Sequence, residues 1–153
     1  MKKIIIILLA IIVSSCVTEL KMYSTQYSIN NQTGTEIKLK FYLTTTDELV
    51  DIYTINTNSI LQGEIIERGS TSPLDYPDDS LARNGFSVGD SIIVVFNNQK
   101  QKIMQTNING FSEPINRNIY RHGNYDYIGN DKFQFTFTEE DYENAEDCGG
   151  NCD

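Results

Sequence analysis

The chain predicts an all-β fold: an antiparallel β-sandwich of about seven strands with a short C-terminal helix. An immunoglobulin-like sandwich is one form of it, and a small open β-barrel is the alternative. Three observations carry this. Residues 35–44 (TEIKLKFYLT) and 132–138 (KFQFTFT) alternate apolar and polar side chains with the period of a pleated strand. Residues 91–96 (SIIVVF) form a short β-branched apolar run, the pattern of a strand covered on both faces. Turn-forming residues recur between such runs, at 31–34 (NQTG), 97–100 (NNQK) and 129–131 (GND).

Taken in order, the chain opens on MKKIIIILLAIIVSSC. Lys2 and Lys3 form a basic start, the ten residues 4–13 are apolar, and two serines lead to Cys16. The apolar run is too short for a permanent bilayer span and has the order of an export signal. Val13-Ser14-Ser15-Cys16 resembles a bacterial lipobox. The resemblance implies cleavage before Cys16 and acylation of its sulfur and its new amino group. A mature chain of 138 residues would then sit on a membrane of the cell envelope, with the outer membrane the expected one. Two or three acyl chains, each methylene adding about 0.8 kcal/mol, anchor stably where one does not.

Residues 1–15 are thus expected to be signal peptide, 16–25 a tether, 26–145 the folded domain and 146–153 an acidic, cysteine-containing tail. Within the domain, residues 26–30 (QYSIN) and 35–44 are expected to pair as a first hairpin. Residues 49–55 and 60–67 give two more strands; Gly63 and the β-branched isoleucines weigh against a helix there. Residues 68–90 form a long non-periodic segment with Pro73, Pro77 and several glycines, the kind of loop that carries binding or mobility. A short helical turn fits residues 79–84. Residues 101–106 return as the partner of 91–96, and 107–124 are irregular. Phe133, Phe135 and Phe137 point inward from the last long strand. Thr138 then caps a helix over 139–145, whose acidic first turn suits the helix dipole.

Residues 89–100 (GDSIIVVFNNQK), followed by 137–145 (FTEEDYENA), resemble small lipoproteins of Bacteroidetes bacteria. That resemblance implies an envelope location and a β-rich domain, and it carries over no catalytic residue.

The chain has 12 Lys+Arg against 21 Asp+Glu, a formal charge of −9. The first fifteen residues hold two lysines and no acid, so the mature charge is 10 minus 21, or −11. No basic stripe exists to displace phosphate counterions, so nucleic acid is not an expected partner. Nor does the charge favour an anionic lipid surface, which leaves anchoring to the acyl chains.

Candidate sites are few. Cys148 and Cys152, with three residues between them, can close a small disulfide in an oxidising compartment; free thiols or half of a metal or redox site are the other readings. His122, the single histidine, has no nucleophile motif beside it and reads as a loop residue. Asp75, Asp78 and Asp79 offer oxygens without the spacing of a calcium loop, and a solvated acidic loop is the plainer reading. Tyr120, Tyr125 and Tyr127 can stack on a sugar or a partner protein, or cover a sheet end. Residues 139–153 hold seven acids and no base, either a solvated tail or a surface for a basic partner. No metal, cofactor or catalytic constellation is expected. The expected function is a non-catalytic anchored protein binding a protein or glycan through its loops. The alternative is an acidic inhibitor or immunity-type protein that blocks a basic toxin or enzyme.

Overall fold

The computed structural model describes residues 21–70, 82, 84–106 and 117–152. Two sheets pack face to face. One has four strands in the order β4-β1-β8-β7, the other five in the order β3-β2-β5-β6-β9. The strands are β1 (Lys21–Asn31), β2 (Ile37–Leu43), β3 (Glu48–Ile55), β4 (Ile60–Ser70), β5 (Ser91–Phe96), β6 (Lys100–Gln105), β7 (Asp126–Gly129), β8 (Lys132–Phe137) and β9 (Glu146–Asp147). A short helix, α1 (Glu139–Glu143), separates β8 from β9. The sheets do not close into a barrel. Among the described residues no helix is long and apolar enough to cross a membrane.

Alternation sets the core. Ile37, Leu39 and Phe41 of β2, Ile92, Val94 and Phe96 of β5, and Phe135 and Phe137 of β8 are fully buried. They meet Tyr27 and Ile29 of β1 between the sheets. Thr138 stands at the N-cap of α1, where its backbone N–H donates to Asp141 at 2.9 Å. Asp141 is buried, and its charge is met by Arg117 at 3.1 Å and Lys102 at 3.7 Å. Asn97 and Asn98 take left-handed φ values of 48° and 53° in the β5–β6 turn, a region asparagine tolerates better than most residues.

Four sequence expectations change. The first hairpin is not formed: β1 pairs with β4 and β8, whereas β2 pairs with β3 and β5 in the other sheet. The turn at Asn31 is therefore a corner between sheets. The sandwich is not wholly antiparallel. Six of the seven pairings among the described residues are, but β1 and β8 run parallel, with Tyr27 opposite Phe133 and Ile29 opposite Phe135. β1 also begins at Lys21, five residues ahead of the expected start, because residues 21–26 pair with 65–70 of β4. Finally, the tail is not loose. β9 pairs with Lys100 and Gln101 of β6, and Cys152 is 1% exposed.

Opposite Tyr27, β4 bulges: Gln26 faces Ile65 but Ser28 faces Gln62. Gly63 sits in that bulge because a Cβ there would lie 2.5 Å from the Gly85 carbonyl oxygen and 2.9 Å from that of Tyr27. The close approach lets residues 84–90 seal one side of the sandwich. Glu64 N–H donates to Gly85 O, and the Tyr53 hydroxyl to Phe86 O, both at 2.9 Å. Residues 117–125 seal the other side. Ile119, Tyr120 and Tyr125 are buried there, and Asn118 Nδ2 donates to Gln105 O.

Candidate functional site

Of the residues singled out in the sequence, Cys16, Asp75, Asp78 and Asp79 lie outside the described residues. The three tyrosines separate. Tyr120 and Tyr125 are core residues, 2% and 8% exposed. Tyr125 packs edge-on against Tyr27 and Phe135, and its hydroxyl donates to Ile119 O at 2.7 Å. Burial, with Tyr27 and Tyr120 close by, pushes that hydroxyl well above its usual pKa. Only Tyr127 of the three, 63% exposed beside Phe133, offers a ring to solvent. His122 opens a 3-10 turn, its Nδ1 3.0 Å from the Tyr27 hydroxyl and its ring edge-on to Phe133. It is a half-buried packing residue in contact with the core.

Cys148 and Cys152 stand at disulfide distance, their Cα atoms 5.3 Å apart. The loop they close is docked. Cys148 N–H donates to Gln99 O at 2.9 Å, Asn98 Nδ2 to Gly150 O at 2.8 Å, and Lys40 Nζ to Cys152 O at 2.9 Å. Lys40 lies on the outer face of the five-stranded sheet, so the loop folds over that face. Val95 of β5 belongs to the same outer face and is 1% exposed. Among the described residues, no group of three or more His, Cys, Asp or Glu side chains is gathered to hold a metal.

The other half of this face is open. β5 has no polar alternation, so Ile93 points outward, and β6 sets Ile103 directly opposite it. Lys40 lies between Ile93 and Ile52 in the same row. Ile52 and Ile103 are 53% and 56% exposed. The next row holds Tyr42, Ser91 and Gln105 in register. Together Tyr42, Thr44, Asp47, Ser91, Ile93, Ile103 and Gln105 line a groove of about 530 Å³. Its end wall is preformed. Thr44 donates from N and Oγ1 to the Asp90 carboxylate, each at 2.8 Å, and Asp47 N–H donates to Leu43 O at 2.8 Å.

The expectation that both faces of β5 are covered thus holds at Val95 and fails at Ile93, which is half-buried. The signal was present: SIIVVF is apolar at both parities, and its partner carries adjacent Ile103 and Met104, one of which must face out. Comparison of the chain with known protein families, with characterised proteins and with solved structures finds no match to any of them.

Proposed function

We propose that this chain is a lipid-anchored protein of a bacterial cell envelope whose β-sandwich is a non-catalytic binding module for a protein or glycan. The anchor is supported by the order of residues 1–16, a basic start, an apolar run and two small residues before Cys16. The binding role is supported by one observation above the others, the open groove over Ile93 and Ile103 on the five-stranded sheet. Contiguous apolar surface left in water, rimmed by polar groups, is the usual mark of an interaction site. The expected binding through loops accordingly moves to a sheet face.

Mass spectrometry of the N-terminus and crosslinking from the groove test the two halves separately. The expected results are a diacylated or triacylated Cys16, and a reproducible envelope partner captured from residue 105. An unmodified thiol at Cys16 sinks the anchor, and absence of any reproducible partner sinks the binding module.

The acidic-inhibitor reading is favoured by a different observation: Glu139, Glu140, Glu143, Glu146 and Asp147 are all exposed at one end of the domain. On that reading, reversing charge at Glu140 and Glu143 abolishes capture of the partner, whereas changes in the groove do not.

A further inference from the structure

We infer that the groove on the five-stranded sheet is a docking site for a basic side chain, an arginine or lysine presented by an extended segment of a partner protein. The inference rests on the binding role proposed above and specifies its chemistry. The groove is chemically mixed. Aliphatic Ile93 and Ile103, directly opposite each other on β5 and β6, line it together with aromatic Tyr42 and acidic Asp47. Among the described residues no basic side chain lines it; Lys40, beside Ile93 in the same row, turns its Nζ to Cys152 O at 2.9 Å. Asp47 is exposed and enters no ion pair among the described residues, so its charge awaits a counterpart. A long basic side chain is the ligand that satisfies each part at once. Its methylenes cover Ile93 and Ile103, its cationic head passes over Tyr42, and its N–H groups reach the Asp47 carboxylate. Gln105, exposed on β6, supplies a polar group beside the groove for the partner's backbone. A neutral apolar partner leaves the carboxylate without a counterion, and an acidic one is repelled by a chain of net charge −9. The mouth is open to solvent, so the attraction is of the salt-sensitive, rate-enhancing kind.

The test is a fluorescence-anisotropy titration of the full chain in detergent with a labelled peptide of alternating serine and arginine. The control peptide replaces each arginine by citrulline, which keeps the shape and removes the charge. The expected result is at least tenfold tighter binding of the arginine peptide, with the preference lost in Asp47→Asn. Asp47 has a φ of 56°, a conformation asparagine adopts readily, so this variant keeps the turn. Glu48→Gln, one residue away, is expected to retain the preference. Equal binding of the two peptides overturns the inference. So does a preference unchanged in Asp47→Asn, or one reduced equally by Glu48→Gln, which assigns it to net charge alone. A chain that still captures an envelope partner while failing this test keeps the proposed function and loses this specificity.

Discussion

Asn31 carries more of the fold than its place in a turn-forming run suggests. It is fully buried, and its side-chain amide donates to the carbonyls of Thr35 at 2.8 Å, Ile55 at 3.0 Å and Asn56 at 3.2 Å. Its Oδ1 accepts from Thr33 N and Thr33 Oγ1. One side chain thus ties the end of β1 to the start of β2 and the end of β3, where the chain crosses between sheets. The sequence made the reversal legible, since Asn, Thr and Gly cluster there. It left the crossing illegible, because an asparagine that shapes a hairpin and one that ties two sheets look alike in a string. Asn31→Ala takes a donor from the carbonyls of Ile55, Thr35 and Asn56, of which Thr35 O keeps Thr33 Oγ1 and Asn56 O keeps Ser59 N–H, and removes the acceptor of Thr33 N and Oγ1; each buried group so stranded costs roughly 1–3 kcal/mol. The expected loss of unfolding free energy is about 3 kcal/mol, read as a lower urea midpoint at unchanged slope. A loss below about 1 kcal/mol would mean that water reaches those carbonyls.

At the scale of elements, the alternating strands were the easiest to read, because one wet face and one dry face leave a period of two in the sequence. The parallel pairing of β1 with β8 was not readable. It joins residues about a hundred positions apart, and no local pattern encodes which strands meet. The groove was half legible: the surplus of apolar residues in β5 was plain, but which of them a later segment covers depends on where the C-terminal loop docks. That loop was misread because its composition, acids and glycines, is that of a free tail, while its attachment comes from three backbone-directed hydrogen bonds and the cysteine pair. Replacing Cys148 and Cys152 together by serine removes closure of a very short loop, worth at most about 2 kcal/mol. Hydrogen exchange is expected to quicken at Cys148 and along Lys100 and Gln101, with the protection of β2 and β8 unchanged. Unaltered exchange at Lys100 and Gln101 would show that β9 holds without the cysteine pair.

For the whole molecule, the two flanking segments matter as much as the sheets. Residues 84–90 and 117–125 close the sides of the sandwich and complete a core crowded with tyrosine and phenylalanine. That choice sets an alkaline limit. Burial holds the Tyr125 hydroxyl well above the ordinary tyrosine pKa; Tyr53 is raised too, by desolvation and then by the charges of Asp51 and Glu64. The fold favours the neutral hydroxyl, while the unfolded chain ionises near pH 10. Stability is therefore fully present below about pH 10 and falls as pH rises from there toward the folded-state value. Melting curves from pH 8 to 11 should show a steep drop in Tm above pH 10. Tyr125→Phe, though less stable at neutral pH for want of its bond to Ile119, should drop less steeply.

The placement of β1 has a mechanical consequence. It is an interior strand, paired with β4 from Lys21 to Asn30 and with β8 from Gln26 to Asn31. Hydrogen bonds between strands lie across the strand axis. Tension applied at the Lys21 end pulls along that axis and loads the β4 ladder in shear, joined from Gln26 onward by the β8 ladder, many bonds together. Tension at the opposite end of the described chain meets the few hydrogen bonds of the docked cysteine loop and then the two residues of β9, which peel from an edge one bond at a time. The domain is built as a handle at one end and a breakaway tab at the other.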